Sequence, residues 1–369
     1  MTGRKRKLVK VLLGIFMLML GFALGIGIAM IIDTSLEGRF SFTEILISLL
    51  LLFFAYAINV VLHEGGHLVM GLLTGYRFLS FRILSWILIK DENGRYHVDS
   101  FSIPGTLGQC LLIPPELDEN GHMPNVLYNL GGIMVNFLIT ILSVLIFFLT
   151  PITGYARVFF GMLGLTSLLM GLENAIPLNA LGMNNDGSNM VSLAKSPRVV
   201  KALWKQLKVN AYQTQGYLFQ QMPKELFTMP TVQEMGDSII SAEAVFIENL
   251  EMEMMDHEKT LETIDYLLNT KEINLIDIYR VLLQSDRILL RLILQKPVNV
   301  DKDMRKALKQ FSVFPNALVT RYAIARLLDK DSKEDEKIRK QFEKTIGKYP
   351  FRSDKLTLPR YMDEIDKRA

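Results

Sequence analysis

Long uncharged runs dominate the first half of the chain and restrict what it can become. Val11 to Ile32 holds 22 residues without a charge, Ile45 to Leu62 another 18, and Val126 to Leu149 a further 24. A fourth stretch, Val158 to Leu172, continues past Glu173 into Ala175-Ile176-Pro177-Leu178. A hydrocarbon core about 30 Å thick takes roughly 20 apolar residues as a helix. Lipid offers no water to backbone groups, so such runs are expected to be helices rather than isolated strands. Four membrane segments are the simplest count. The first follows Arg4-Lys5-Arg6-Lys7, but its core exceeds a signal peptide's and Ile32-Asp33-Thr34-Ser35 lacks a small-x-small cleavage site, which predicts a retained anchor.

Basic residues orient these segments. Arg4 to Lys7 and Lys10 precede the first, and Arg77, Arg82, Lys90 and Arg95 follow the second. By the positive-inside rule both sets face the cytoplasm. The loop 33–41 carries Arg39 against Asp33 and Glu37, and the loop 150–156 is short, so both fit the opposite side. The expected product is an integral multi-pass protein of the cell membrane with both termini cytoplasmic. The composition changes near residue 190, after which charged residues are frequent. This predicts two domains, a membrane core over 1–190 and a cytosolic helical domain over 191–369.

A net charge of +3, with no basic stripe interleaved with aromatics, argues against a nucleic-acid partner. The single Cys110 excludes an intrachain disulfide and a cysteine-based zinc site.

Within the second apolar run stands His63-Glu64-Gly65-Gly66-His67. Residues four apart share one helix face, so the two imidazoles can grip one metal ion with Glu64 beside them as a base. Ionisable groups at membrane depth are costly and usually functional. Two adjacent glycines weaken a helix by about 1 kcal/mol each relative to alanine. Their presence suits close approach of another helix or of a substrate backbone. A catalytic zinc takes three protein ligands and keeps one open position. His97 and His122 lie in a polar loop and His257 far down the soluble part, so a carboxylate is expected. Glu173 and Asp186 both qualify. Depth in the membrane favours Asp186, since the motif also lies near the cytoplasmic end of its segment.

These elements together resemble the site-2 protease family of intramembrane zinc proteases, over the first 190 residues or so. His63 to His67 matches the family's zinc motif. Gly131 to Asn136 is similar to its Gly-x-x-x-x-Asn element, and Asn174-Ala175-Ile176-Pro177 followed by Asp186-Gly187 resembles its Asn-x-x-Pro and Asp-Gly signature. The resemblance implies His63, His67 and Asp186 as zinc ligands and Glu64 as the catalytic base. It also makes Asn136 and Asn174 candidates for contacting substrate backbone or the oxyanion. It implies hydrolysis of transmembrane or membrane-bound peptides. The interval from Pro177 to Asp186 is longer than the family's commoner form, with Glu173 as the alternative ligand.

Apolar, aromatic-rich residues over Phe78–Ile89 and alternating ones over Arg95–Ile103 flank Asn93-Gly94, the strongest short hairpin signal. A membrane-proximal β-hairpin is therefore predicted, with an edge on which an unwound substrate strand could pair. From Val199 on, apolar residues recur at helical spacing in Leu261-x-x-Ile264-x-x-Leu267-Leu268 and Leu275-x-x-Ile278-Tyr279-x-x-Leu282-Leu283. Ala317–Leu328 and Glu334–Ile346 read as two more helices, with Gly347 as a stop. Short helices joined by short loops suggest an α-solenoid able to recruit a cytosolic protein. The overall expectation is an all-α polytopic membrane protein with a small hairpin and a helical cytosolic domain.

Overall fold

A computed structural model describes residues 24–369, apart from 39–40, 92, 101, 103–105, 178 and 181–182. The fold is mostly helical with a small antiparallel sheet. Three helices are long and apolar enough to cross a membrane: α2 (Phe42–Leu73), α3 (Val126–Leu149) and α4 (Gly154–Ala175). The first expected segment lies largely outside the described residues; its described part belongs to helix α1 (Leu24–Leu36). The chain forms two compact units. One comprises the described residues up to Gly66 with Gly132–Ala175, and the other His67–Gly131 with Ile176–Ala369.

In the first unit, small residues let the helices approach closely. A Cβ placed on Gly161 would lie 2.6 Å from Ile31 Cγ2 of α1 and 3.0 Å from Phe147, and one on Gly164 would lie 3.0 Å from Ser143 Cβ. Gly171 similarly faces Asn136 and Phe137. The partners on α3 run backwards as the α4 residues advance, so the two helices are antiparallel with a small-residue seam, as membrane interfaces favour. An apolar cluster of Ile32, Leu36, Ala55, Val158, Met162 and Leu163 ties α1 and α2 to α4. Asn59 on α2 donates from Nδ2 to Leu163 O at 3.0 Å and Thr166 Oγ1 at 2.8 Å. Outward-facing Phe53, Leu138, Ile141 and Phe148 stay exposed, as suits a lipid-facing surface.

In the second unit, the expected hairpin is part of a four-stranded sheet ordered β3-β2-β1-β4. The strands are β1 (Arg77–Ile83), β2 (Trp86–Lys90), β3 (Tyr96–Ser100) and β4 (Gly108–Ile113). The turn at Gly94 joins β2 to β3 as expected, with φ +77° at the glycine and Asp91 N donating to Arg95 O. The run 78–89 is two strands rather than one. The chain reverses at Leu84, whose φ of 53° is left-handed without a glycine to announce it. Strand β4 pairs with β1 across a register shift between Phe78 and Ser80.

Helices α5 (Asp186–Leu193) and α6 (Pro197–Thr214) follow, then α7 (Ser238–Glu253), α8 (His257–Asn269) and α9 (Asp277–Ile293). The chain ends with α10 (Lys302–Gln310), α11 (Pro315–Ala323), α12 (Ser332–Gly347) and α13 (Arg352–Arg368). The helix expected over 317–328 is α11 continued by a π-helical turn, Ile324–Asp329, and α12 ends on Gly347. In a solenoid each repeat meets only its neighbours. Here α13 packs back on α11, α9 and α7, and Tyr361 Oη donates to Met252 O at 3.1 Å. Met252 is therefore core, while Met254 is exposed. The sheet shares this unit: Ile87 and Ile89 of β2 pack with Phe314 and Tyr349, and Cys110 and Leu112 of β4 with Val199, Val200 and Leu207 of α6.

Candidate metal centre

Helix α2 carries His63 and His67 one turn apart, both 7 % exposed. The first histidine is fixed by α3 and α4. Its Nδ1 lies 2.7 Å from Asn136 Oδ1, and Asn136 is fully buried. Room for the ring comes from Gly132, where a Cβ would stand 2.6 Å from Nδ1 and 2.7 Å from Nε2.

The second histidine is fixed from the sheet side. Its Nδ1 lies 2.7 Å from Tyr128 O. The Tyr128 ring stacks on Tyr76 at 4.9 Å, and its hydroxyl donates to Cys110 O at 3.0 Å. Gly71 makes this possible, since any Cβ there would run into Leu112 Cδ1. Burial raises the Tyr76 pKa.

Asp186 opens α5, whose N-cap is Asn185, with Oδ1 accepting from Ser188 N at 2.9 Å. The long interval before it has a structural account. Asn179–Ala180 and Met183–Asn184 pair as a two-stranded hairpin, and Asn185 Nδ2 donates to Ile176 O at 2.7 Å. The hairpin takes up part of the interval, and the Asn185 bond holds the residue before Asp186 at Ile176. Asp186 Oδ2 lies 3.2 Å from His67 Nε2.

His63, His67 and Asp186 each offer a ligand atom within 4.8 Å of the others, and among the described residues they form the one such group of three. Glu173 is outside it. Glu64, half-buried, follows His63 on α2. Asn174 donates from Nδ2 to Met170 O at 3.0 Å, a bond within its own helix. The remaining histidines have carboxylates of their own: His97 Nε2 lies 3.6 Å from Asp99, His122 Nδ1 3.6 Å from Asp118, and His257 Nε2 2.8 Å from Glu364.

The donor set fits a divalent zinc-type ion. A carbonyl oxygen only accepts, so His67 Nδ1 must carry the hydrogen and a neutral ring keeps its lone pair on Nε2. That lone pair faces the Asp186 carboxylate, and two acceptors 3.2 Å apart need a cation or a proton between them. An outer acceptor on each Nδ1 is the usual support of a metal-ligating imidazole. Two nitrogens and one carboxylate oxygen are donor types that three-ligand zinc sites use.

What the sequence missed were the parts that hold the ligands, Ser167, Tyr128 and Gly132. Gly132 alone left a signal, as part of the Gly131 to Asn136 element, which gave it no role of its own. In comparisons with protein-family models, curated proteins and solved structures, the chain gives no significant match.

Proposed function

We propose that this chain is a membrane-embedded zinc endopeptidase of the site-2 kind, cutting transmembrane or membrane-associated peptides. The observation that carries the reading is the convergence of His63, His67 and Asp186 within 4.8 Å, on a helix that also bears Glu64 and is long and apolar enough to span a bilayer. His63 and His67 would hold the ion through Nε2, and Asp186 through a carboxylate oxygen. Zinc bound there supplies Lewis acidity, lowering the pKa of water toward 7 and polarising a carbonyl. Glu64 takes the proton from the attacking water on its carboxylate and delivers it to the departing amide nitrogen. The buried imidazoles, held at Nδ1, keep their orientation while that proton moves.

The finer arrangement follows from the charges. Four membrane segments, with the basic residues around 4–10 and 77–95 inside, leave both termini cytoplasmic. Residues 191–369 then form the cytosolic part, and a protein partner there would act on the same unit that holds His67 and Asp186.

The test uses the purified full chain in detergent and the same variants in cells. Wild type is expected to bind one zinc. Glu64→Gln keeps the zinc and accumulates uncut membrane proteins or peptides, Asp186→Ala loses the zinc, and Glu173→Ala keeps both. Zinc binding with unchanged peptide profiles for Glu64→Gln would make the chain a metal-holding scaffold instead.

A further inference from the structure

Asn136 has two chemically distinct options: to touch the substrate, or to act through His63. It lies within α3 and is fully buried. Its backbone oxygen accepts from Thr140 Oγ1 at 2.9 Å and from Ser167 Oγ on α4 at 2.9 Å. Its side-chain Nδ2 lies 3.2 Å from the same Ser167 Oγ, and Oδ1 lies 2.7 Å from His63 Nδ1. Two glycines make the room: Gly132, one turn before Asn136 on α3, for the imidazole, and Gly171, one turn after Ser167 on α4, for Asn136 Cβ at 3.2 Å.

The direction of this relay is set by counting hydrogens. Ser167 has one hydroxyl proton, and it goes to the Asn136 carbonyl. Toward the amide, Ser167 can therefore only accept, which forces Nδ2 to that side and turns Oδ1 toward His63. An amide oxygen only accepts, so His63 must donate from Nδ1 and keep its lone pair on Nε2. We infer that Asn136 and Ser167 are positioning residues that fix the tautomer and ring orientation of His63 for metal ligation, and that the Asn136 amide is not a substrate contact. The inference rests on the zinc reading above and assigns a role within that site.

The experiment measures zinc affinity by chelator competition on the purified full chain in detergent, with no peptide present. Asn136→Leu keeps the volume but removes the acceptor, and is expected to bind zinc about 10–100-fold more weakly, the usual effect of losing an outer-shell partner. Asn136→Asp retains an acceptor for the Nδ1 hydrogen and is expected to bind within about threefold of wild type. Ser167→Ala, which leaves both ligand and acceptor in place, is expected to fall between them. Cobalt substituted for zinc gives a visible band that Asn136→Leu shifts and Asn136→Asp restores. A general packing defect would not be reversed by the acidic variant.

Wild-type zinc affinity in Asn136→Leu, with cleavage lost in both the Leu and Asp variants, would assign the amide to the substrate and overturn the inference. Equal weakening in Leu and Asp would overturn it too. A wild-type chain that binds no zinc would instead remove the enzymatic reading, and this inference with it.

Discussion

Replacing Gly132 by alanine tests the metal centre through a single methyl group. The added Cβ would stand 2.6 Å from His63 Nδ1 and 2.7 Å from Nε2, whereas ordinary contact begins near 3.4 Å. The ring's Cε1 would be closer still, so the imidazole must retreat by about 1 Å, or the helices must part. Retreat stretches the 2.7 Å bond to Asn136 that orients the ring. In stability the two effects oppose each other. Alanine favours the helix by about 1 kcal/mol over glycine, and overpacking costs about 1–3 kcal/mol. The fold should survive with a small net loss. Zinc affinity has no such compensation and should fall at least 10–100-fold, about 1.4–2.7 kcal/mol. Gly65→Ala is the internal contrast, since a Cβ there meets no described atom within 4 Å. It receives the same helix gain and should leave zinc affinity unchanged. Chelator competition reads affinity, and thermal unfolding in detergent reads the fold. If Gly132→Ala bound zinc within about threefold of wild type while remaining folded, the packing argument for His63 would fail.

The helical domain should lose stability as pH rises. Asp286 and Asp354 are each raised to about 7, by burial first and then by the charges of Asp354 and Glu253 respectively, and Glu248 is raised by burial and by Asp286. The folded state thus holds protons that the unfolded chain releases above about pH 4. Stability is fully present below that value and declines by up to about 1.4 kcal/mol per pH unit and group until about pH 7. Thermal unfolding at pH 5.5 and 8 should show the drop, and Asp286→Asn should shrink it; an equal drop in the variant would refute the assignment. Asn59→Leu removes two interhelical bonds, to Leu163 O and Thr166 Oγ1. Bonds of this kind average about 0.6 kcal/mol in membranes, so unfolding in mixed detergent should shift by about 1 kcal/mol. No shift would mean that the unfolded helices find equal partners.

Much of the first half was legible because its signals are local. An apolar run of some 20 residues and two histidines four apart carry their meaning within one helix. The Asn93-Gly94 turn was legible for the same reason. The reversal at Leu84 was not, because a leucine with positive φ leaves no compositional mark and is held by β1 pairing with β2 and β4. Strand β4 was missed because its pairing is long-range. The solenoid pattern was read from helix spacing, which does not reveal that α13 returns to α7.

The ligand set divides in the same way. Sequence alone determined that two imidazoles share one face of an apolar helix, with a carboxylate next to the first of them in the chain, because helical periodicity is a property of nearby residues. It left Glu173 and Asp186 as rivals and gave Ser167, Tyr128 and Gly132 no role. Tertiary structure places Asp186 3.2 Å from His67 and gives Ser167, Tyr128 and Gly132 their contacts with Asn136, His67 and His63. The hairpin at 179–184 takes up part of the interval, and the bond from Asn185 to Ile176 holds the residue before Asp186. The acceptors on the two Nδ1 atoms come from residues more than 60 positions away. A hydrogen bond has to be closed in space, and the distance across which it closes is not written in the order of the residues.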